Sequence, residues 1–407
     1  MSAARVQVAI VGGGLVGATL ALLLVQRGRV DPLQVLLLEP DPPKARPHAA
    51  DYELRVSAIS PGNRRLLREL GVWQRMDLTR VAQYEHMVVW HEATPADSPD
   101  VLRFDAATLG EPDLGSIVEN LNLQAALLQQ CVEAGISLRQ AAITGLTCDE
   151  SSARLTLGEE GIDAELVVGA DGASSAVRCL AGIGGAQHDY GQRGIVATID
   201  TAAGHQHTAW QRFLKTGPLA MLPLASGQVS IVWSAENATA DALLAMSADQ
   251  FSDALTAASA GVLGKLRVAS ARAAFALRRL TAERFAGTRC VLVGDAAHVI
   301  HPLAGQGVNE GLQDALALAE ALAARPARES VGAAQALQRY ARARRSGNAM
   351  TAAVVDGFDG LFTGSGPLTA ELGRVGMALV ARSRGLQRLF FTQAAGQGSR
   401  PPGRRNR

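Results

Sequence analysis

The chain has 407 residues, of which 48% are hydrophobic and 19% are charged, and its formal net charge is +1. This composition is typical of a globular protein, and the length predicts two interleaved domains. The balanced charge gives no reason to expect a general polyanion such as duplex DNA as a partner, so nucleic acid is excluded from the expected ligands. No apolar stretch reaches the roughly 18 residues that cross a bilayer. We therefore expect a cytoplasmic protein, soluble or peripheral on the inner face of the membrane.

The cysteine pattern agrees with a reducing compartment. Four cysteines lie far apart, without the C-x-x-C spacing of a zinc or redox site. They are Cys131, Cys148, Cys179 and Cys290. We expect plain buried thiols.

The N-terminal segment predicts a βαβ unit. Residues 5–11 form a β-branched run, residues 18–26 are apolar at helical spacing, and residues 33–38 form a second strand-like run. Between the first strand and the helix lies the pattern G-x-G-x-x-G, whose backbone amides can approach a pyrophosphate. Its glycines are Gly12, Gly14 and Gly17.

An acidic residue completes this dinucleotide pattern. Glu39 ends the second strand, 22 residues beyond Gly17, where a carboxylate can accept hydrogen bonds from ribose hydroxyls. The same carboxylate disfavours a 2′-phosphate, so the site suits FAD or NAD rather than NADP. The combination of strand, helix and acid favours this interpretation over a chance glycine-rich turn.

The rest of the chain alternates between parallel-sheet and antiparallel patterns. From about residue 190 to residue 236, alternating aromatic-containing runs separated by turns predict an inserted antiparallel sheet. Helices fill most of the chain beyond Gly307, and the composition of 397–407 predicts a disordered tail. The other predicted elements are a helix from Ser60 and Pro61 to Gly71, a helix at 121–134, a strand at 164–168 and a parallel strand at 290–293.

A second segment with polar residues follows the strand at 164–168. Asp171 and Gly172 form a turn that leads into a helix at Ser174. Aspartate in such a turn often caps the following helix, and taken alone the segment favours that structural role.

The third segment, 294–315, predicts the edge of a flat ligand. Asp295 ends a strand where it can accept a hydrogen bond from a sugar hydroxyl, Gly305 and Gly307 permit close approach of the backbone, and Pro302 stiffens the turn. The free amides at the start of the following helix favour negative charge, as on the reduced edge of an isoalloxazine ring. One apolar face of that helix is traced by Leu312, Leu316, Ala319 and Leu322.

Two histidines lie within this segment. His298 and His301 are spaced i, i+3 without a nearby carboxylate ligand, which does not make a metal site. Beside a proline turn, such a histidine is more often a structural hydrogen-bonding group than a catalyst.

The three segments together resemble the fingerprints of the single-component FAD-dependent aromatic hydroxylases, most of all the ubiquinone-biosynthesis branch. Supporting phrases run along almost the whole chain, including "LRVSAIS" at 54–60, "VENLNLQAALL" at 118–128 and "RFLKTGPLAMLPL" at 212–224. The most specific is "HPLAGQGVN" at 301–309. The resemblance implies an α/β fold: a glutathione-reductase-type Rossmann FAD-binding domain with an inserted antiparallel β-sheet substrate domain and C-terminal helices.

The implied domains interleave along the chain. Residues 1–180 form the first part of the FAD-binding domain, with substrate-domain strands near 80–115, and residues 281–362 form its second part. Residues 181–280 form the substrate domain. A C-terminal helical region spans 363–396, and the disordered tail follows at 397–407.

The resemblance also implies roles for individual residues. The three glycines hold the FAD pyrophosphate, Glu39 holds the adenosine ribose, and Arg55 and Gln124 touch the ribityl and phosphate portion. Asp171 and Gly172 contribute to the binding of FAD and of the transient reductant. Asp295 holds the ribityl chain, and Gly294 beside it is also a cofactor-binding residue. Residues lining the flavin are Pro302, Gly305, Gln306, Gly307, Val308 and Asn309.

The candidate catalytic residues and one departure from the family lie near the implied flavin. Arg55 and His301 are the candidate catalytic residues, as electrostatic groups beside the ring. Glu310 departs from the family, in which an apolar residue usually follows that asparagine.

The implied activity is FAD-dependent aromatic-ring monooxygenation. NAD(P)H or another reductant supplies electrons, O₂ is the co-substrate, and oxygen is transferred from a C4a-hydroperoxyflavin to a polyprenylated phenol or quinone precursor in ubiquinone biosynthesis. The protein shields this chemistry from water and orients the ring. Other quinone-biosynthesis proteins are candidate partners.

Two alternatives remain open at this point. A related hydroxylase of a soluble aromatic acid needs an arginine for the carboxylate, and Arg212 could supply it. A non-catalytic FAD-binding scaffold of a quinone-biosynthesis complex would bind FAD without substrate-stimulated oxidation of a reductant.

The C-terminal end is strongly basic. Residues 371–407 carry a net charge of +7, from eight arginines and one glutamate. The stretch 372–395 mixes these arginines with leucine and phenylalanine, which favours either an amphipathic helix on an anionic bilayer or a helix docked on the FAD-binding domain.

Overall fold

Strands dominate the described part of the chain, which comprises residues 4–43, 51–299 and 307–345 of a computed structural model. In chain order the first strands are β1 (Ala4–Val11), β2 (Val35–Leu38), β3 (Val56–Ile59), β4 (Ala82–Tyr84), β5 (His86–His91), β6 (Leu102–Asp105) and β7 (Gly115–Glu119). Next come β8 (Ser137–Arg139), β9 (Gly145–Cys148), β10 (Ala153–Leu157), β11 (Glu160–Gly169), β12 (Gly185–Thr201), β13 (Thr208–Leu214) and β14 (Gly217–Pro223). The last are β15 (Val229–Glu236), β16 (Leu266–Val268), β17 (Ala273–Ala282), β18 (Ala286–Gly287), β19 (Cys290–Leu292) and β20 (His298–Val299).

The helices lie between these strands. They are α1 (Leu15–Gln26), α2 (Pro61–Glu69), α3 (Ala106–Leu109), α4 (Asn120–Glu133), α5 (Ala176–Leu180), α6 (Asn237–Ala245), α7 (Ala248–Ala258) and α8 (Gly307–Ala323). Residues 334–345 are also helical.

A largely parallel sheet forms the first layer. Its main path is β18-β19-β11-β1-β2-β8, with β10 and β9 continuing from β11 as antiparallel strands. The central strands are almost continuous apolar runs, as expected for parallel strands covered on both faces. The register aligns Val11 with Gly169 and with Leu38, and Gly169 with Leu292, so these strands end at one edge of the sheet.

Two helices from distant parts of the chain pack closely on this sheet. A Cβ atom built at Gly311 in α8 would lie 2.5 Å from Cγ2 of Val16 in α1. Glycine at position 311 therefore allows α8 to approach α1 closely.

The second layer is a large antiparallel sheet with the path β20-β17-β12-β15-β14-β13-β5-β6. One face packs on α6 and α7, where Trp90 and Trp233 meet Phe251 in a single apolar core. The pair β5 and β13 is parallel, and β12 carries a register shift between Asp189 and Gln192.

A small sheet, β3-β7-β4, connects the two layers. Ala58, Ala82 and Ile117 from this sheet form an apolar cluster with Leu224, which follows β14. The small sheet therefore joins the end of the antiparallel sheet to the region where α2 begins.

Most local predictions are confirmed, and the predicted fold class is confirmed. The βαβ opening, the helix that begins at Ser60 and Pro61, the helix near 121–134, the antiparallel strands of 190–236 and the strand near 290 are all present. Two local predictions are wrong in part. Cys148 and Cys179 are exposed rather than buried, and Leu316 is only partly buried, whereas Leu318 is fully buried in α8.

Other predictions keep their status. The division into domains stays a prediction, and the predicted helical region at 363–396 and disordered tail at 397–407 lie outside the described residues. Among residues 4–43, 51–299 and 307–345, no helix combines the length and apolar character needed to cross a membrane.

Candidate cofactor site

Three of the segments singled out in the sequence meet at one edge of the parallel sheet. The turns after β1, β11 and β19 are neighbours, because the amide of Ala170 donates to Val11 O (2.8 Å) and the amide of Val293 donates to Gly169 O (2.9 Å). The amide of Gly12 donates to Leu38 O at the end of β2 (2.8 Å). Segments about 280 residues apart in sequence thus form one site, as expected at the carboxyl edge of a parallel sheet.

The glycine-rich turn is tightly packed at Gly12, Gly13 and Gly17, and a Cβ atom at Gly13 would lie 2.7 Å from Glu39 Cβ. Gly12 has φ +104°, and a Cβ atom there would lie 2.3 Å from Ala170 O. A Cβ atom at Gly17 would lie 1.9 Å from Gly12 O. At Gly14, by contrast, no atom lies within 4 Å of such a Cβ.

The start of α1 is open at this turn. Gly14 is its N-cap, and no side chain caps the helix there. The first amides of a helix have no acceptor within it and favour negative charge. The turn therefore offers an anion backbone donors without steric obstruction.

Glu39 and Gln124 both reach the glycine-rich turn. The Glu39 carboxylate accepts from the Gly13 amide (2.8 Å) and from the Asp41 amide (3.0 Å). Gln124 Nε2 donates to Gly13 O (3.0 Å) from α4. The structure thus brings both predicted residues to the turn.

The Asp171 carboxylate is used within its own segment. It accepts from the Ser175 hydroxyl (2.5 Å) and from the Val177 amide (3.1 Å) at the start of α5. This is the capping geometry of the structural interpretation. The turn formed by Asp171 and Gly172 still abuts the glycine-rich turn, since a Cβ atom at Gly12 would lie 2.9 Å from Asp171 Cα.

Asp295 lies in the turn after β19. The residue is exposed to solvent, and an atom built as Cβ at Gly307, the first residue of α8, would lie 4.0 Å from Asp295 Oδ1. Surrounding protein nevertheless replaces part of its hydration, and this burial raises the pKa of Asp295. The positive charges of His298 and Arg55 oppose the shift, whereas the charge of Asp314 adds to it.

Arg55 is thereby placed within electrostatic range of the site. Its side chain is exposed, while its carbonyl accepts from the Asn120 amide at the start of α4 (3.1 Å).

The Asn309 side chain holds α8 against the small sheet. Asn309 Oδ1 accepts from the Ser60 amide (3.0 Å) and from Asn63 Nδ2 (2.9 Å), while its Nδ2 donates to Ala58 O (2.7 Å). Because this side chain is already bonded within the protein, we expect the start of α8 to meet a ligand through its backbone amides. Val308 is partly buried against the main core.

Sequence reasoning missed a buried ionic cluster behind Asp295. Asp314 in α8 is fully buried and bonds His298 Nε2 (2.6 Å), and Arg344 Nε donates to the same carboxylate (2.5 Å). Burial by itself would lower the pKa of His298, but the charge and hydrogen bond of Asp314 outweigh it, and the pKa is raised. His298 is thus a hydrogen-bonding group inside the fold.

The same cluster accounts for Glu310. Its carboxylate accepts from Arg344 Nη2 (2.6 Å). A signal was available for Asp314: it lies four residues before Leu318 and seven before Ala321, which places a charge on a buried helical face.

Some predicted site residues cannot be placed. His301, Pro302, Gly305 and Gln306 lie outside the described residues. Within the described ranges, no group of three or more histidine, cysteine or acidic side chains is arranged to hold a metal ion.

Comparison with known proteins decides the family. Residues 5–355 match the family model described as FAD binding domain. The chain is 36% identical to the ubiquinone hydroxylase UbiL of Rhodospirillum rubrum, over 97% of this chain and 91% of that protein. It is also 36% identical to the 3-demethoxyubiquinol 3-hydroxylase of Escherichia coli, over 96% of this chain and 98% of that protein.

The chain belongs to this FAD-binding family. The prediction of a flavoprotein monooxygenase of the ubiquinone-biosynthesis branch is confirmed at the level of family membership. A solved structure of p-nitrophenol 4-monooxygenase PnpA from Pseudomonas putida has the same fold, with a TM-score of 0.74 at 17% identity over 96% of this chain and 99% of that one.

The residues present fit FAD. The uncapped amides of α1 and the open space at Gly14 suit the pyrophosphate, and Glu39 lies beside them for a ribose. Asp295 and the start of α8 present a carboxylate and backbone donors at the same sheet edge.

Proposed function

We propose that this protein is an FAD-dependent monooxygenase that hydroxylates the aromatic ring of a polyprenylated phenol or quinone precursor in ubiquinone biosynthesis. The observation that carries the proposal is the meeting of the Gly12, Asp171 and Asp295 turns at one sheet edge, in a chain that aligns along nearly its whole length with ubiquinone hydroxylases. The relatives' names supply the substrate class, and the geometry supports the cofactor.

Different residues of the chain would bind different parts of FAD. The amides of the Gly12–Gly17 turn and the start of α1 would hold the pyrophosphate, and Glu39 would exchange its Gly13 contact for ribose hydroxyls. Gln124, already bonded to Gly13 O, would stabilise the turn from α4. Asp295 would accept from the ribityl chain, with Arg55 as the nearby positive charge.

When bound, FAD supplies the redox chemistry: it accepts two electrons from NAD(P)H or another reductant and delivers one oxygen atom of O₂ to the ring, the other leaving as water. The backbone amides at 307–309 would stabilise negative charge on the cofactor from the N-terminus of α8. The remaining tasks of the protein are to orient the aromatic ring and to exclude water.

The alternative of a soluble aromatic acid is weakened by the position of Arg212. Its guanidinium donates to Ala258 O (2.8 Å), Ala257 O (3.3 Å) and Glu92 O (3.2 Å). These bonds tie it to the C-terminal end of α7 on the helix-covered side of the sheet. An arginine engaged in this way is poorly placed to bind a substrate carboxylate.

One experiment separates the three candidate functions. Purified protein loaded with FAD is supplied with O₂ and NADPH or NADH, and then with prenylated and unprenylated phenols in separate reactions. Reductant oxidation and hydroxylated product are measured together. Product from the prenylated phenol alone supports the proposal, whereas product from only an unprenylated acid supports the soluble-substrate alternative.

The scaffold alternative predicts a different outcome. Such a protein would bind FAD, yet no phenol would stimulate reductant oxidation. In cells, quinone intermediates can be measured by mass spectrometry in a strain that lacks this chain. For a scaffold, the strain would accumulate the same intermediates as strains that lack other members of the complex, rather than one specific unhydroxylated precursor.

Peripheral membrane contact belongs to the same proposal. A prenylated substrate is dissolved in the bilayer, and the net charge of +7 on residues 371–407 suits an anionic membrane surface. Sedimentation with anionic liposomes should weaken in a variant that ends after Phe362. Equal sedimentation of the truncated and full-length proteins would exclude this role.

A further inference from the structure

A buried carboxylate lies directly behind the turn that carries Asp295. Asp314 is 0% exposed. Its Oδ2 accepts from the Gly294 amide (2.8 Å) and bonds His298 Nε2 (2.6 Å), while its Oδ1 accepts from Arg344 Nε (2.5 Å). One side chain thus connects the first residue of the turn, the strand that follows it and the helical segment 334–345.

The helical segment is tied to the same region by further bonds. Arg344 Nη2 donates to Glu310 Oε2 in the first turn of α8 (2.6 Å). The Tyr340 hydroxyl donates to Leu292 O at the end of β19 (2.8 Å). Residues 334–345 therefore brace both the strand before the Asp295 turn and the helix after it.

Stability alone is a weak explanation for such a cluster. Removing charged groups from water is costly, and a buried ion pair can often be replaced by apolar residues without loss of stability. Asp314 does, however, make one contact that an apolar residue cannot make: it accepts the hydrogen bond of the Gly294 amide. This contact points to a role in shaping the turn.

The turn is fixed on both sides of Asp295. Gly294 has φ +59°, a left-handed conformation that suits glycine. Its carbonyl accepts from the Ala297 amide (2.9 Å), and Ala296 O accepts from Arg178 Nη1 (2.9 Å). Asp314 holds Gly294 and Arg178 holds Ala296. These two contacts fix the backbone position of Asp295, which lies between them.

We propose that Asp314 is a positioning residue for FAD, which acts through the Gly294 amide to present Asp295, and that Arg344 and His298 hold the Asp314 carboxylate in place. The inference rests on the proposed function, since it requires FAD at this edge of the sheet. In metal sites, mutation of a residue that orients a metal ligand through a hydrogen bond commonly changes metal affinity by about 10- to 100-fold. Asp314 would orient Asp295 in the same way.

The test compares Asp314→Asn with Asp113→Asn. Asp113 is also buried and also paired with an arginine, Arg64, at 2.7 Å, but that pair joins α2 to the segment before β7. Both substitutions replace a buried, arginine-paired carboxylate by an amide. Apoprotein is titrated with FAD to obtain the dissociation constant, and unfolding of each apoprotein in denaturant reports its stability.

We expect Asp314→Asn to weaken FAD binding at least about tenfold and to alter the visible circular dichroism of the bound flavin. The amide has a single acceptor oxygen, which cannot accept from both Arg344 and Gly294, so the turn is held less firmly. Asp113→Asn should lower stability while changing FAD affinity less than about threefold. Equal changes in FAD affinity for the two variants would overturn the proposal.

A second variant covers a failure of Asp314→Asn to fold. Arg344→Lys keeps the positive charge but loses the planar fork that bonds both Asp314 and Glu310. Weaker FAD binding at unchanged apoprotein stability supports the proposal, and unchanged affinity contradicts it. A wild-type protein that fails to bind FAD would instead contradict the proposed function.

Discussion

The parallel sheet carries its chemistry in the turns at the ends of its strands, whereas the antiparallel sheet carries polar groups along the body of its strands. In the described residues, eleven buried side-chain nitrogen or oxygen atoms lack a hydrogen-bond partner. Strands of the parallel sheet contribute none of them. Six are on the antiparallel sheet, in Trp90, Arg193, Thr201, Trp210, Arg212 and Trp233.

This difference reflects what each sheet has to do. On the cofactor side, several acidic side chains at or behind the turns are already bonded within the protein, as Glu39, Asp171 and Asp314 show. The antiparallel side is a wide surface that packs large amphipathic rings such as Trp90 and Trp210 edge to face. An unpaired buried polar atom costs about 1–3 kcal/mol. The strands of the antiparallel sheet thus tolerate a local cost that the strands of the parallel sheet avoid.

The largest effect is expected in the glycine-rich turn. Gly17→Ala places a methyl group 1.9 Å from Gly12 O, so either α1 or the turn must move. We expect a loss of at least about 3 kcal/mol of stability together with the loss of FAD binding, measured by chemical denaturation and by FAD titration.

Gly14→Ala is the matched control for this change. Its methyl group meets no atom within 4 Å, and φ is an ordinary −69°. Stability should stay within about 0.5 kcal/mol of wild type. FAD affinity should fall, because the methyl group would lie where we propose that the pyrophosphate binds. Wild-type FAD affinity in Gly14→Ala would show that the pyrophosphate lies elsewhere.

The next effect concerns the antiparallel sheet. Arg212→Met removes the hydrogen bonds to two carbonyls at the end of α7 and to Glu92 O after β5. We expect a loss of about 2 kcal/mol of stability, with KM for the aromatic substrate unchanged. A large rise in KM without loss of stability would reverse the assignment and restore Arg212 as a substrate-binding residue.

A smaller, pH-dependent effect is expected at His298. Because its pKa is raised in the folded protein, the stabilisation by charged His298 is fully present below about pH 6.5 and is lost as the pH rises through the raised value. His298→Gln retains a neutral donor for Asp314. It should therefore be less stable than wild type by about 1–2 kcal/mol at pH 6, and the gap should close at high pH.

Thermal denaturation of both proteins from pH 6 to pH 9 measures this gap. A gap that stays constant, or that widens with rising pH, would mean that His298 is neutral in the folded protein.

The smallest effect compares one substitution in both regions. The Thr19 hydroxyl in α1 donates to Leu15 O (2.6 Å), whereas the Thr201 hydroxyl at the end of β12 is buried without a partner. Thr19→Val should lower stability by about 1 kcal/mol, and Thr201→Val should leave it unchanged or raise it slightly. Equal destabilisation in the two variants would show that the missing hydrogen bond of Thr201 has no effect on stability, contrary to the comparison of the two regions.

Local patterns were sufficient to predict the cofactor edge. Apolar runs, glycine spacing and one acid are short-range signals, and they located β1, α1, β2 and Glu39 correctly. The helices α6 and α7 were missed, although Ser247 and Gln250 form a capping box at the start of α7. That pattern was present in the sequence and could have been used.

Contacts between distant segments could not be predicted in the same way. Asp314 and Arg344 are 30 residues apart, and their meeting depends on how 334–345 packs beside α8. The parallel pairing of β5 with β13 likewise joins residues more than a hundred positions apart. Sequence patterns specify the faces of elements, whereas such pairings are fixed only when the whole sheet assembles.

The order of strands in the parallel sheet has a consequence for synthesis on the ribosome. β19 joins the sheet beside β11, yet most strands of the antiparallel sheet, β12 to β17, lie between them in the chain. The nascent polypeptide must therefore emerge through β19 and α8 before the Asp295 turn can meet the glycine-rich turn. We therefore expect coenzyme loading to be a late event of biogenesis, so that ribosome-bound chains halted before β19 capture no flavin.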